Sequence, residues 1–344
     1  MKNKEKDTLY CGVKQKRIEK AVPEFDSKAL DAFLGFISER YKVHIRKDVD
    51  MLKPPYTDNP ILKEYKFTNI RREHDRETKW LIKHITSNPD VNYSNKLLNC
   101  ILFRLFNKHE TSELIHQPIG FKKFHQNPNK YKKVLENAKS SGKILYTGAF
   151  FTTGMRQGVQ ATLAEAGLPA EFSGNDLLLF VDYLNQDGIV NKIKSASNPK
   201  EVFNILCSYK GLGSFLAYQI FVDFTYIENF PFSENEFTVA GPGCKKGLNY
   251  LFTNKCKMSD EECLFWLRDN WKKLKEINES NGYNSWFNPK DLMTDLPKYD
   301  RVMNVMSLEN CFCEFSKYWR ALTNTGRPRT KYNAEKRYKE AQHE

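Results

Sequence analysis

The fold is decided by the stretch Ser208-Tyr-Lys-Gly-Leu-Gly-Ser-Phe-Leu-Ala-Tyr-Gln-Ile-Phe-Val-Asp-Phe224. A short turn, Lys210-Gly-Leu-Gly213, separates two apolar segments whose hydrophobic residues recur at helical spacing. This pattern predicts a helix-hairpin-helix at about residues 200–224. The glycines let backbone N–H groups approach a phosphate, and the second helix points its positive N-terminus at the same anion. Sequence-independent binding of a DNA backbone is one interpretation, and an ordinary helical hairpin is the other.

The composition favours a polyanionic partner. The chain of 344 residues carries 54 Lys and Arg against 42 Asp and Glu, a formal net charge of +12, and its pI is about 9.1. Each phosphate that such a protein neutralises releases counterions, so basic proteins are biased toward nucleic acids. No apolar run is long enough to cross a membrane, and the charged N-terminus does not resemble a signal peptide. We therefore expect an intracellular protein with no membrane partner.

The eight cysteines are scattered along the chain, and their spacing matches no usual zinc or disulfide pattern. We expect reduced, structural thiols, with no metal and no cofactor. The periodicity predicts a mainly α fold of three parts: a charged arm at 1–24, a helical domain at 25–323 and a loose basic tail at 324–344. Helices are predicted at 27–43, 69–86, 92–106, 131–141, 153–167, 175–186, 189–195, 259–280 and 306–323, with 143–148 as a short strand or extended segment.

The segment Arg71-Arg-Glu-His-Asp-Arg76 is the first candidate for chemistry. If it is helical, Arg72 and Arg76 are neighbours four residues apart, as are Arg71 and Asp75. Arginine forks bind phosphate groups through two hydrogen bonds. The alternative is a salt-bridged, solvated helix face.

Asp223, in the apolar run 220–226, is a second candidate. It is either a structural carboxylate or a general base whose pKa is raised by burial. Helix-hairpin-helix glycosylases carry a catalytic Asp later in the chain. The corresponding segment, Val239-Ala-Gly-Pro-Gly-Cys-Lys-Lys-Gly247, has no carboxylate. Its absence argues against ordinary base excision.

Four ordered blocks carry a family resemblance: 55–75, 209–219 together with Asp223, 237–243 and 313–318. They resemble the α-glutamyl/putrescinyl thymine pyrophosphorylase group, which shares its helical domain with the 5-hydroxymethyluracil DNA kinases. The resemblance covers about residues 25–330 and implies a helical, DNA-glycosylase-like fold that acts on a modified thymine in DNA. Tyr56 stands where the family often has Trp, and Arg71 stands where it often has Tyr, which leaves the substrate open.

The sequence lacks the phosphate-cradling loop G-x-x-x-x-G-K-[ST] that a kinase needs, so the chain resembles the stand-alone enzyme of the group. The resemblance implies that pyrophosphate is displaced from 5-(pyrophosphoryloxymethyl)uracil and that an amine is attached. Its partners would be double-stranded DNA with the modified thymine and a small amine or amino acid. A host-cell cytoplasm would be the location for a phage protein, and the nucleus for a eukaryotic one. A DNA glycosylase or repair enzyme of the same fold and a non-catalytic DNA-binding module are the alternatives.

Two C-terminal features complete the candidates. Glu314, Lys317 and Tyr318 share one helix face, which the resemblance turns toward Asp223 and which otherwise reads as a salt-bridged surface. The segment Thr325-Gly-Arg-Pro-Arg-Thr-Lys331 resembles an AT-hook that grips the minor groove, or is a plain basic tail. The predicted residues are catalytic Arg72, Asp75, Arg76, Asp223, Glu314 and Lys317; substrate-binding Asn69, Arg71, Tyr218, Gln219, Pro242, Gly243 and Tyr318; and DNA-binding Lys210, Gly211, Gly213, Lys245, Lys246, Arg327 and Arg329.

Overall fold

A computed structural model describes residues 22–119, 126–169, 174–271, 273–283 and 303–341. Within these ranges the chain forms sixteen α-helices and two short strands, which confirms the mainly α prediction. Most of the predicted N-terminal arm lies outside the described residues. None of the described helices combines the length and apolar character needed to span a bilayer.

The elements follow one another with short connections. The helices are α1 (Ser27–His44), α2 (Pro60–Glu64), α3 (Arg76–Leu81), α4 (Tyr93–Phe106), α5 (His109–Ile119), α6 (Pro128–Ser140), α7 (Thr153–Glu165), α8 (Gly174–Gln186), α9 (Ile189–Lys194), α10 (Pro199–Cys207), α11 (Ser214–Phe224), α12 (Pro242–Leu251), α13 (Asp260–Asp269), α14 (Lys273–Ser280), α15 (Val305–Leu322) and α16 (Ala334–Ala341). Short π-helices cover Ile45–Val49 and Ile82–Thr86, a 3-10 turn covers Arg72–His74, and strands β1 (Glu24–Phe25) and β2 (Phe252–Asn254) pair antiparallel.

The predicted helix at 69–86 is divided, and this difference shapes the site. Asp75 is extended (φ −71°, ψ 141°) between the 3-10 turn and α3. Its carboxylate accepts the backbone N–H of Asn69 at 2.9 Å, which holds a tight local loop instead of a helical turn. Arg72 and Arg76 are therefore not neighbours on one helix, and the same holds for Arg71 and Asp75.

Helices α10 and α11 form the predicted hairpin. The turn is closed by a hydrogen bond of 3.0 Å from the Leu212 N–H to the Tyr209 carbonyl, and Gly211 has a φ of +101°. A Cβ on Gly211 would lie 2.8 Å from Val159 Cγ2 on α7. Gly211 is thus required both by its backbone conformation and by the close approach of α7.

The core is built around α11 and α15. Every residue from 216 to 224 is buried, and α11 packs on α4 and α10. Helix α15 lies in close contact with α12, where a Cβ on Gly247 would stand 2.3 Å from the Phe312 carbonyl oxygen. Phe312 in turn stacks on Phe33 of α1, with ring centroids 4.3 Å apart. This packing fixes the faces of α11 and α15 that carry the candidate site.

The tail from residue 324 is more ordered than the sequence predicts. The Lys66 N–H donates to the Thr330 carbonyl at 2.9 Å, and the Tyr332 N–H donates to the Glu64 carbonyl at 2.8 Å. These bonds hold the tail beside the segment that follows α2, and α16 begins shortly after them. Backbone pairing of this kind depends on residues far away in sequence, which is why a basic, glycine- and proline-containing tail looked loose.

Candidate active site

Arg72 occupies the centre of a buried polar cluster. It begins the 3-10 turn, and its guanidinium points inward, where Nη2 donates to the Gln219 Oε1 on α11. Only 8% of Arg72 is exposed, and its Nε has no hydrogen-bond partner among the described residues. An arginine that is buried and only partly satisfied can bind an additional acceptor.

Glu309 of α15 provides a carboxyl group beside Arg72. Its Oε1 accepts the backbone N–H of Gly241 at 3.3 Å, at the start of α12. Burial raises the pKa of Glu309 to about 7, although the charge of Arg72 and the bond from Gly241 act to lower it. A carboxyl group that titrates near neutral pH can accept or donate a proton during a reaction.

A second carboxyl group, Glu234, lies near the same cluster. Burial and the nearby charge of Glu73 raise the pKa of Glu234 to about 7, while Arg71 and Arg72 act to lower it. Tyr218 of α11 is 3% exposed, and its hydroxyl hydrogen-bonds to the Thr238 hydroxyl at 2.9 Å. The cluster therefore brings together one arginine, one amide and two carboxyl groups with raised pKa values.

Asp223 has a different environment from the one expected of a base. It is fully buried, and Arg104 of α4 donates to both of its oxygens at 2.5 and 2.6 Å. Arg104 also donates to Asn107 at 2.7 Å and to Thr78 at 3.3 Å. This arrangement is typical of a structural ion pair that ties α4 to α11.

Asn69 and Asp75 shape the loop that presents Arg72. The Asn69 side chain donates to the His74 carbonyl at 2.9 Å and accepts a bond from Arg40 at 2.7 Å. Together with the bond from the Asn69 N–H to Asp75, these contacts close the loop around residues 69–75. Both residues therefore have positioning roles here, and Arg71 is held by Glu73.

Arg76 does not join Arg72. Its side chain is 52% exposed and pairs with Glu77 at 3.1 Å and with Glu110 at 4.0 Å. The extended backbone at Asp75 turns the two arginines in different directions. A shared grip of Arg72 and Arg76 on one leaving group was expected from helical spacing, and the structure does not provide that spacing.

The C-terminal face points toward the segment that carries Arg72, in line with the sequence prediction. The Glu314 Oε2 accepts the backbone N–H of Thr68 at 3.2 Å, and Lys317 pairs with Glu314 at 2.6 Å. The Tyr318 hydroxyl accepts a hydrogen bond from Asn59 at 2.9 Å. Helix α15 thus fixes residues 59–68 relative to the cluster.

The predicted DNA-binding and glycine positions divide into two groups. A Cβ on Gly213 would meet no atom within 4 Å, so the start of α11 is open to a ligand. Lys210 is exposed and pairs with Glu165 of α7. A Cβ on Gly243 would lie 2.5 Å from Cys313 Sγ, so helix packing accounts for that glycine. Pro242 is exposed as the first residue of α12.

A second, strongly basic feature lies beside the C-terminal face. A recess of about 430 Å³ collects cations from four separate chain segments. Lys245 is exposed on α12 but does not line it. The residues that line this basic recess are Lys66, Lys246, Lys317, Arg320, Arg327, Pro328, Arg329 and Thr330.

Comparison with known proteins places the chain in a family. The family model for the helical domain of 5-hmdU DNA kinases matches residues 27–327. The chain belongs to this family. A 5-hmdU DNA kinase of Bacillus phage SP10 is 25% identical over 311 residues, which are 86% of this chain and 46% of the phage protein. The chain thus spans less than half the length of that relative, and no solved structure matches it significantly.

Several residues of the helical-domain cluster were not predicted from sequence. Glu309 interrupts an apolar helical run that begins at Val305, and a lone carboxylate in such a run is a usable signal. Glu234 stands in a loop among other acidic residues and carries no such signal. Arg104 follows Phe103 on a buried helix, and an arginine at a core position indicates a buried acidic partner.

Proposed function

We propose that this chain acts on a 5-hydroxymethyluracil-type base in DNA. Two facts support the proposal: membership of the helical-domain family and the named activity of the phage relative, which is a 5-hmdU DNA kinase. The basic composition fits a DNA substrate. The chain covers less than half of that relative and lacks a G-x-x-x-x-G-K-[ST] loop, so we assign it a base-modifying step other than phosphorylation.

In the proposed reaction, a neutral amine attacks the exocyclic methylene of 5-(pyrophosphoryloxymethyl)uracil. The amine nitrogen forms a bond to the methylene carbon, and the bond from that carbon to the pyrophosphate oxygen breaks. Pyrophosphate leaves with the electron pair, and the attacking nitrogen loses one proton. The base must leave the helical stack for its methylene to become accessible.

Glu309 is the residue to which we assign that proton. The observation that carries the proposal is its pKa of about 7, next to a buried arginine whose Nε is unsatisfied. The ionised carboxylate accepts the proton, and Arg72 stabilises the negative charge that develops on the leaving oxygen. Gln219, fixed by Arg72, offers its amide to the edge of the base.

The hairpin is the proposed contact for the DNA backbone. The open start of α11 at Gly213 presents unpaired backbone N–H groups. Phe215, one residue into α11, is 51% exposed and can contact the sugar or a neighbouring base. DNA held at this helix start lies at the opposite end of α11 from the Arg104–Asp223 pair.

The test is amine-dependent release of pyrophosphate. Duplex DNA with 5-(pyrophosphoryloxymethyl)uracil is incubated with the protein and an amine such as putrescine, and free pyrophosphate is measured. The wild type should release pyrophosphate only with the amine, and Glu309→Gln should be slower by a factor of about 10² to 10⁴. Glu279→Gln, at an exposed carboxylate of α14, is the matched control and should retain the wild-type rate.

Three outcomes would count against this assignment. Release without the amine would indicate hydrolysis in place of transfer. Formation of abasic sites would favour a glycosylase of the same fold. Binding of the DNA with no change in the base under any of these conditions would favour a non-catalytic DNA-binding module.

A further inference from the structure

The basic recess is assembled by tertiary structure and is not a run of charge in the sequence. Its walls come from the segment after α2, from α12, from the end of α15 and from the tail. The tail wall is fixed at both ends: the N–H groups of Thr325 and Gly326 donate to the Arg320 carbonyl at 2.9 and 3.2 Å, and Thr330 accepts the bond from Lys66. Pro328, between the two tail arginines, is buried.

The positive charge in the recess is largely uncompensated. Of the six cations, Lys317 pairs with Glu314, and the other five form no ion pair with a carboxylate among the described residues. Burial and the nearby charges of Arg337 and Arg76 lower the pKa of Lys66. Like charges held together in this way repel one another, and a bound polyanion would remove that repulsion.

The chemistry of the lining identifies the anion as phosphate. Three arginines offer planar forks and three lysines offer point charges, and both are the usual partners of phosphate oxygens. None of the lining side chains is aromatic, so the recess offers no surface on which a nucleobase could stack.

The position of the recess relates it to the candidate active site. Lys317 follows Glu309 by eight residues on α15, which corresponds to about 12 Å along the helix at 1.5 Å per residue. That distance is the axial span of roughly three to four base pairs of duplex DNA. A strand whose target base lies at Arg72 can therefore have its backbone at the recess.

We infer that the basic recess binds consecutive backbone phosphates of the DNA strand near the target nucleotide. The inference rests on the proposed function for its DNA substrate. It also changes the role of the AT-hook-like segment, because Arg327 and Arg329 line a recess in a backbone-paired tail. Their contribution is then to the phosphates and carries no preference for A·T sequences.

The test measures equilibrium binding of unmodified duplex DNA over a range of salt concentrations. The triple variant Lys246→Gln, Arg327→Gln and Arg329→Gln should bind at least tenfold more weakly at low salt. Its log–log salt slope should be smaller by about two to three units, equally on A·T-rich and G·C-rich duplexes. The control loses the same net charge outside the recess: Lys139→Gln, Lys257→Gln and Lys331→Gln should stay within twofold of wild type.

Each alternative outcome is distinct. Equal losses in both triple variants would reduce the effect to net charge and overturn the inference. A loss confined to A·T-rich duplex would restore the minor-groove role of the tail. Tight binding of inorganic pyrophosphate that the recess variant alone abolishes, with DNA affinity unchanged, would assign the recess to a small anion. If the wild type binds no DNA at all, the proposed function itself fails.

Discussion

Glu309 should make the stability of the protein depend on pH in a way that Glu309→Gln removes. The side chain is 6% exposed, and its pKa of about 7 lies above the ordinary value of 4.5. The folded state therefore binds a proton that the unfolded state has already released between these two values. The stabilisation is complete below pH 4.5 and is lost as the pH rises through 7.

The magnitude follows from the size of the pKa shift. At 1.36 kcal/mol for each unit, the free energy of unfolding of the wild type relative to Glu309→Gln should fall by about 2 to 3 kcal/mol between pH 5 and pH 8. Glu234, whose pKa is also raised, is present in both proteins and its contribution cancels in the difference. Gln resembles the protonated carboxyl group in size and polarity, so the variant should remain folded.

Urea unfolding followed by tryptophan fluorescence at several pH values measures this difference. Glu279→Gln provides the control, since that carboxylate is exposed and its replacement should leave the pH dependence of stability unchanged. Parallel stability curves for wild type and Glu309→Gln would refute the reasoning, because they would mean that Glu309 has an ordinary pKa. A wild type that gains stability relative to the variant toward pH 8 would refute the sign as well.

Three further predictions concern the surrounding structure. Arg104→Ala leaves Asp223 as a buried, uncompensated charge and should destabilise the fold by about 3 to 5 kcal/mol in urea unfolding, whereas a loss under 1 kcal/mol would show that the pair is dispensable. Gly211→Ala should lower the free energy of unfolding by about 1 to 3 kcal/mol because of the φ of +101° and the close approach of α7. Gly213→Ala, in open space, should leave stability unchanged, and equal effects at the two glycines would contradict the packing argument. Arg72→Lys should restore little of the turnover lost in Arg72→Ala, as an ammonium lacks the planar fork; full rescue would mean that charge alone matters.

Elements with local signals could be predicted well from the sequence. Helix α4 was predicted at 92–106 and observed at Tyr93–Phe106, since the Asn92 side chain caps its start and an apolar run fills its length. The hairpin was also predictable, because glycines mark its turn and apolar periodicity marks both helices. These signals act over a few residues and need no knowledge of the tertiary structure.

The site depended on contacts between distant residues and was predicted only in part. The sequence singled out Arg72 and Gln219, which are 147 positions apart and meet in the structure. It did not reveal that Arg104 holds Asp223 across 119 positions, or that burial raises the pKa of Glu309. The division of the helix at Asp75 was missed for the same reason, since side-chain bonds to the backbone override helix propensity there.

The most direct test of the central claim is mass spectrometry of the nucleosides from treated DNA. Duplex carrying 5-(pyrophosphoryloxymethyl)uracil is incubated with the wild-type protein and an amine, digested and compared with DNA treated with Arg72→Ala. The account predicts a new nucleoside whose mass equals that of the modified uridine plus the amine minus pyrophosphate, with the sugar still attached and with its yield lost in the variant. Unchanged nucleosides after treatment with a folded, DNA-binding wild type, or release of the free base, would contradict it.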